Sequence, residues 1–197
     1  MMNDLNHILL TACREKKVEV IKFIIQKYQQ LTTEKDARSN TALHIACEKG
    51  LLTDGIECLH SAYPQALTMF NDEGETPFHR TCFHGKSLES LKYLHSKFPI
   101  GLATPNKSGD LPIHCINEDA SEELVKYLLE QFPKTADVKN KEDSAAIHNA
   151  CSKGLSLNII KLLCEGHPEA ANTSDKRGRY PIHIACEKGL SNGFLRS

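Results

Sequence analysis

Apolar residues recur every three or four positions in several short stretches of the chain. Leu88, Leu91 and Leu94 form one set, Leu124, Leu128 and Leu129 a second, and Ile159, Ile160, Leu162 and Leu163 a third. That spacing places the side chains on one face of a helix. The stretches run into an aromatic residue or histidine followed by proline, at Tyr63-Pro64, Phe98-Pro99, Phe132-Pro133 and His167-Pro168. A residue before proline is pushed out of the helical region, so the helices are predicted to stop there. A shorter helical stretch comes before each, for example Phe78 to His84. Gly50, Gly85, Gly154 and Gly189 stand where a glycine C-cap closes such a helix. Polar turns precede the short helices and end in glycine at Asn71-Asp72-Glu73-Gly74, Asn106-Lys107-Ser108-Gly109 and Asp175-Lys176-Arg177-Gly178. The Asx residue starts such a turn through side-chain to backbone bonds, and the glycine supplies a positive φ. Ser39 and Asp143 replace the glycine in two turns, which are therefore expected to differ in shape.

The whole pattern repeats. Thr41-Ala42-Leu43-His44, Thr76-Pro77-Phe78-His79, Leu111-Pro112-Ile113-His114, Ala145-Ala146-Ile147-His148 and Tyr180-Pro181-Ile182-His183 each open a short helix. Their histidines, at 44, 79, 114, 148 and 183, are 35, 35, 34 and 35 residues apart. The string His-Ile-Ala-Cys-Glu-Lys-Gly-Leu occurs at 44–51 and again at 183–190. A fixed period in this range marks a stacked repeat array. Proline is tolerated in the first turn of a helix, where its missing N–H costs nothing. The units fall at approximately 1–35, 36–70, 71–105, 106–139, 140–174 and 175–197, the last one partial. Cys13 lies 34 residues before Cys47, and Tyr28 lies 35 before Tyr63, so the first unit carries the same two helices. It opens on His7-Ile8-Leu9-Leu10 with no turn before it, as expected of an N-terminal capping unit. The sequence ends at Ser197 without a second helix for the sixth unit, and the glycine-containing residues after Gly189 argue against one forming. That end is expected to be uncapped, as in a piece of a longer array.

The order turn, Gly, Thr-Pro-x-His, small residues, Gly, second helix resembles the ankyrin repeat. The resemblance covers about residues 5–190, and the fullest match is Asp72-Glu73-Gly74-Glu75-Thr76-Pro77-Phe78-His79. It implies an all-α fold: an ankyrin-repeat solenoid of helix–turn–helix units joined by projecting β-turn fingers, with about five full repeats and a partial sixth. The period exceeds the usual ~33 residues, and the surplus is expected in the proline-containing stretch after the second helix. Cysteine stands where the family has alanine. In the fourth unit Cys115-Ile116-Asn117 replaces the small pair and Ala120 replaces the glycine, so local irregularity is expected there. The resemblance also implies that the recurring histidines bond the turn backbone to the helix start.

Composition narrows function further. The 197 residues carry 24 basic and 25 acidic side chains, a net charge of −1, so no strong field points to nucleic acid or a membrane surface. Apolar runs such as Ile21-Lys22-Phe23-Ile24-Ile25 fall short of a bilayer span, and the N-terminus lacks the features of a secretory signal. Five of the eight cysteines, Cys13, Cys47, Cys82, Cys151 and Cys186, recur with the repeat, which reads as one buried packing niche rather than a disulfide framework. Unpaired thiols suit a reducing compartment, so a cytoplasmic or nuclear protein is expected.

Four His-x-x-Cys pairs invite a metal reading. A zinc site wants four ligands at ~2.0–2.3 Å, whereas stacked helices lie ~8–10 Å apart, so adjacent pairs do not complete one. Gly85-Lys86-Ser87 lacks the second glycine of a phosphate loop, since Arg80 stands five positions earlier. Asn106-Lys107-Ser108 and Asn172-Thr173-Ser174 match a glycosylation sequon that goes unused without secretion. No nucleophile–base arrangement stands outside the repeat register. The reading is a non-enzyme with no cofactor and no metal.

Arrays of this kind bind other proteins across an extended surface. In an ankyrin-like stack the fingers and first helices line the concave face. The register assigns the finger tips to Arg38 and Asn40, to Asp72, Glu73 and Glu75, to Lys107 and Asp110, to Lys141 and Glu142, and to Lys176, Arg177 and Arg179. The exposed first-helix ends hold Phe83 and His84, Glu118 and Asp119, Lys153, and Lys188. The 72–75 finger is acidic and the 176–179 finger largely basic, a polarity that would orient a partner. Phe83 stands where other units place Arg14, Glu48, Glu118, Ser152 and Glu187, which marks it as an interface anchor. The expected role is a protein-interaction module, a monomer that binds a protein partner, with no nucleic acid and no membrane insertion. Three alternatives stay open: a targeting segment of a larger protein, end-to-end stacking of copies through Ile182, Ile184 and Leu190, and a metal or redox sensor built on the cysteines.

Overall fold

A computed structural model describes residues 7–85 and 87–190. Helices come in pairs: α1 (Ile8–Arg14) with α2 (Val18–Lys27), α3 (Ala42–Lys49) with α4 (Thr53–Ala62), and α5 (Pro77–His84) with α6 (Leu88–Lys97). After them come α7 (Glu122–Gln131), the pair α8 (Ala146–Lys153) and α9 (Leu157–Gly166), the single turn α10 (Pro168–Ala171), and α11 (Pro181–Glu187). Among the described residues extended pairing is limited to one isolated bridge between Lys35 and Thr41. The first helices pack in a row, α1 on α3, α3 on α5, and α8 on α11. The second helices form a parallel row, with α2 on α4, α4 on α6 and α7 on α9.

Each layer contributes the same apolar register to a continuous core. Leu9, Leu43, Phe78, Ile113 and Ile147 are buried at one position, and Ile21, Ile56, Leu91, Val125 and Ile160 at another. Cys13, Cys47, Cys82 and Cys151 are buried in the recurring niche. Burial pushes the thiols of Cys13, Cys47 and Cys151 up to about 12 and raises that of Cys82 well above the ordinary value, so they are not thiolates at neutral pH.

The longer period has a structural destination. After each second helix the chain adds one tight helical turn, at Gln29–Thr33, Pro64–Thr68, Pro99–Ala103, Pro133–Ala136 and, as α10, Pro168–Ala171. In all but the first of these, where Gln29 stands, proline both ends the second helix and occupies the first position of the new turn, where it has no N–H to lose.

The irregularity sits at residues 112–121. In place of a first helix there is a single 3₁₀ turn, Pro112–Cys115, followed by an open segment to Ser121. Shortening a helix strands its carbonyls. Lys153 of α8 supplies the missing donors: its Nζ lies 2.9 Å from the His114 carbonyl and 2.8 Å from that of Ile116. Asn149 adds a bond of 3.3 Å to His114. On the other side, the Ser121 N–H donates to the Gly85 carbonyl at 2.9 Å, and the Ser121 hydroxyl caps α7 by accepting from Leu124 N–H.

The exposed surface of α1 and α2 mixes polar residues such as Thr11, Arg14 and Glu19 with apolar ones. Ile8, Val20 and Phe23 are exposed there, at register positions where Ala42 and Gly55 of the next pair are buried and Cys58 is half-buried. The stretch after Leu190, where no stable helix is expected, lies outside the described residues.

Candidate partner-binding surface

The fingers are built by one device repeated five times. Asp36, Asn71, Asn106, Asn140 and Asp175 each accept two backbone N–H bonds on one side-chain oxygen, from the residues two and four positions on, at 2.8–3.0 Å. Neighbouring fingers are tied by main-chain bonds, Asp72 N–H to Arg38 O, Lys107 to Glu73, Lys141 to Ser108 and Lys176 to Glu142, at 2.9–3.0 Å. The turns at Ser39 and Asp143 do not differ from the others. Both residues take the positive φ of glycine, 61° and 56°, because the Asx bonds fix the turn around them.

The histidines join layers. In His44, His79, His114 and His148, Nδ1 accepts the backbone N–H of the residue three positions earlier at 3.1–3.3 Å. That leaves the proton on Nε2, which donates to a carbonyl of the following layer: Glu75, Asp110, Val138 and Thr173, at 2.9–3.0 Å. Burial lowers all four pKa values, to about 4 for His44 and His79. His183 makes the inner bond, from Tyr180 N–H at 3.2 Å. Among the described residues, no carbonyl accepts from its Nε2. Beside it Ile182 and Cys186 are exposed, although their equivalents in inner layers are buried.

The expected contact residues divide into available and committed groups. Arg38, Asp72, Glu73, Phe83, Lys107, Glu118, Asp119, Lys141, Glu142, Lys176, Arg177 and Lys188 are exposed. Asn40 is not a finger-tip residue in space: it is 4% exposed, and its side-chain oxygen accepts from Asn71 Nδ2 at 2.9 Å. Asp110 is half-buried and accepts from Asn140 Nδ2 at 2.7 Å. His84 is half-buried with its ring against Gly50, where an added Cβ would meet it. Lys153 is exposed along its length, but its ammonium is occupied by the carbonyls described above. Arg179 is held by Asp175 through Nε and Nη2, at 3.0 and 2.8 Å, which removes much of the basic character expected of that finger.

Arg80 changes the electrostatics most. Its guanidinium lies 2.5 Å from Glu75, 3.6 Å from Glu48 and 3.9 Å from Glu73, and its side chain is largely buried. The finger expected to be acidic is thus compensated from beneath by a first-helix cation. The sequence signal was available, since Arg80 takes a position held by Ile45, Cys115 and Ile184 in other layers. Only the folded geometry shows that it faces the finger. Phe83, 44% exposed, follows on the same helix.

Residues 113–194, less than half of the chain, match the family profile of ankyrin repeats in three copies. Among solved structures, the crystal structure of EF0377, an ankyrin repeat protein, superposes with a TM-score of 0.73 at 24% identity, covering 97% of this chain and 98% of that one. This chain carries ankyrin repeats. The ankyrin array also superposes on a chain from the complex of the Bdellovibrio bacteriovorus predatory endopeptidase Bd0816 with immunity protein Bd3460. There the TM-score is 0.73 at 17% identity, with 94% of each chain covered. No curated protein matches the sequence. Ankyrin arrays generally serve as protein-binding modules, and the fold is typically non-catalytic. No helix among the described residues is long and apolar enough to cross a membrane.

Proposed function

We propose that this ankyrin array is a non-catalytic scaffold that binds a protein partner across its first helices and finger tips. The observation that carries the reading is Phe83. It is a large apolar side chain left in solvent at the centre of a face that is otherwise polar. On the same helix Arg80 pairs with Glu75 and Glu48, so part of the surface is ordered before a partner arrives. A preorganised polar face with one central aromatic anchor is the anatomy of a binding hot spot. The Asx-built fingers supply the rim, with the exposed Lys141, Lys176 and Arg177 facing solvent to meet acidic groups.

The Phe83→Ala variant tests the reading. Affinity for the partner is expected to fall by about tenfold or more, as truncation of an anchor does. Melting temperature is expected to change by only about 2 °C, because an exposed side chain contributes little to folding. A large drop in melting temperature with unchanged affinity would show that Phe83 fills space against the neighbouring finger.

A further inference from the structure

The segments that lead from the second helices out to the fingers line a surface separate from the first-helix face. Around Pro105 they enclose two adjoining hollows. One, of about 340 Å³, is bounded by Phe70, Pro105 and Lys107. The other, of about 510 Å³, is bounded by Pro105, Phe132 and Val138, with Lys134 and Lys139 at its edge. Phe70 is 51% exposed and Val138 40%. Folding does not demand apolar residues there, since the equivalent positions carry Lys35 and Thr173 in other layers. Exposed apolar side chains gathered in one groove mark an interaction site.

The charged residues that line the two hollows are all basic. Three lysines line the two hollows, and no carboxylate does. Two of these lysines are held in place: Lys107 donates to the Asp72 carbonyl and Lys139 to the Ser174 carbonyl, bonds that orient the ammonium groups without neutralising them. An apolar floor with a cationic edge complements apolar side chains flanked by carboxylates.

Spacing narrows the conformation of the occupant. The hollows belong to successive layers, and stacked helices lie ~8–10 Å apart. A polyproline-type chain rises ~3.1 Å per residue with three residues per turn, so side chains three positions apart point the same way at ~9 Å. The same separation along an α-helix spans only ~4.5 Å. We propose that this groove takes an extended acidic segment of a protein partner, with two large apolar side chains three residues apart filling the hollows and Asp or Glu beside them facing the lysines. The inference rests on reading the chain as a protein-binding scaffold and adds a second surface to it.

A phage-displayed library of random twelve-residue peptides, selected against the whole chain, supplies the probe. The best peptide is then synthesised and titrated by fluorescence anisotropy. Enriched peptides are expected to share an apolar-x-x-apolar pattern with acidic neighbours. Phe70→Ser and Val138→Glu should each weaken the synthetic peptide by about tenfold or more, and Phe83→Ala should leave it within about twofold. Both groove positions are exposed, and melting curves check that the variants remain folded. Enrichment of basic or patternless peptides, or of none, overturns the proposal. So does a peptide that loses affinity in Phe83→Ala but not in the groove variants, a result that would leave the scaffold reading standing. Self-association seen by light scattering and abolished by Val138→Glu would give the groove to a second copy of the chain, and would also overturn it.

Discussion

Acidification is expected to unfold the array between about pH 6.5 and 4, ahead of general carboxylate titration. Burial holds His44 and His79 at about 4 in the folded chain, against an ordinary value of 6.5, and shifts His114 and His148 the same way. The unfolded chain therefore takes up these protons first. Stability is intact above the unfolded value, falls as pH drops below about 6.5, and levels off near the folded value. Each such histidine contributes a slope of about 1.4 kcal/mol per pH unit inside that window. Over the whole window His44 and His79 are worth about 3 kcal/mol each, which together rival a typical folding free energy of about 5–15 kcal/mol. Carboxylates act later. Burial alone would raise Asp36, but the backbone N–H groups of Asn40 and Arg38 outweigh it, and its value falls below the ordinary 3.8. Urea unfolding followed by circular dichroism from pH 8 to 4.5 measures the slope. His79→Gln should lower stability at pH 8 and make the dependence shallower by about 1.4 kcal/mol per pH unit. A stability flat down to pH 4.5 would show that the histidines are not held neutral.

Gly85→Ala is expected to destabilise far more than Gly154→Ala, although both glycines close a helix at nearly the same φ, 74° and 70°. A Cβ on Gly154 meets nothing within 4 Å. That substitution carries only the backbone penalty of about 1 kcal/mol. A Cβ on Gly85 would lie 2.5 Å from the Cα and 2.6 Å from the N of Ala120, both backbone atoms that cannot rotate away. The open segment 116–121 would have to lift, breaking the bond from Ser121 to Gly85. A total of about 3 kcal/mol or more follows from backbone strain plus overpacking. For a chain of this length that separates a melting shift of about 2–4 °C from one of about 6–12 °C. Equal shifts would mean that the 116–121 segment does not rest on Gly85.

What the sequence reveals and hides follows from the range of the interactions involved. Helix pairs, turns and period are legible because they are local: leucines at helical spacing, proline after an aromatic, glycine at a positive φ. The shortened helix at Pro112–Cys115 is also foreshadowed, since Asn117 and Ala120 break the small-residue and glycine pattern. Ser39 and Asp143 mislead because glycine is judged locally, whereas the bonds to Asp36 and Asn140 fix those turns whatever follows. Lys153 and the Phe70–Val138 groove are illegible for the opposite reason, and Arg80 stands out in the register without revealing which acids it meets. Lys153 and the groove depend on contacts between layers some 35 residues apart, as does the Arg80–Glu48 pair, and the period says that layers stack without saying which side chains meet. Charge read along the chain therefore overstates the acidic finger at 72–75 and the basic one at 176–179, because the compensating Arg80 and Asp175 act from another helix or from within the turn.

Site-specific photo-crosslinking tests the central claim most directly. A photoreactive amino acid is placed at Phe83 on the first-helix face and, separately, at Lys126 on the outside of α7, and each version is irradiated with cell extract. A discrete protein adduct is expected from position 83, competed by unlabelled wild-type chain but not by Phe83→Ala, and no such adduct from position 126. A competed adduct at 126 alone, or none at 83, would contradict the claim.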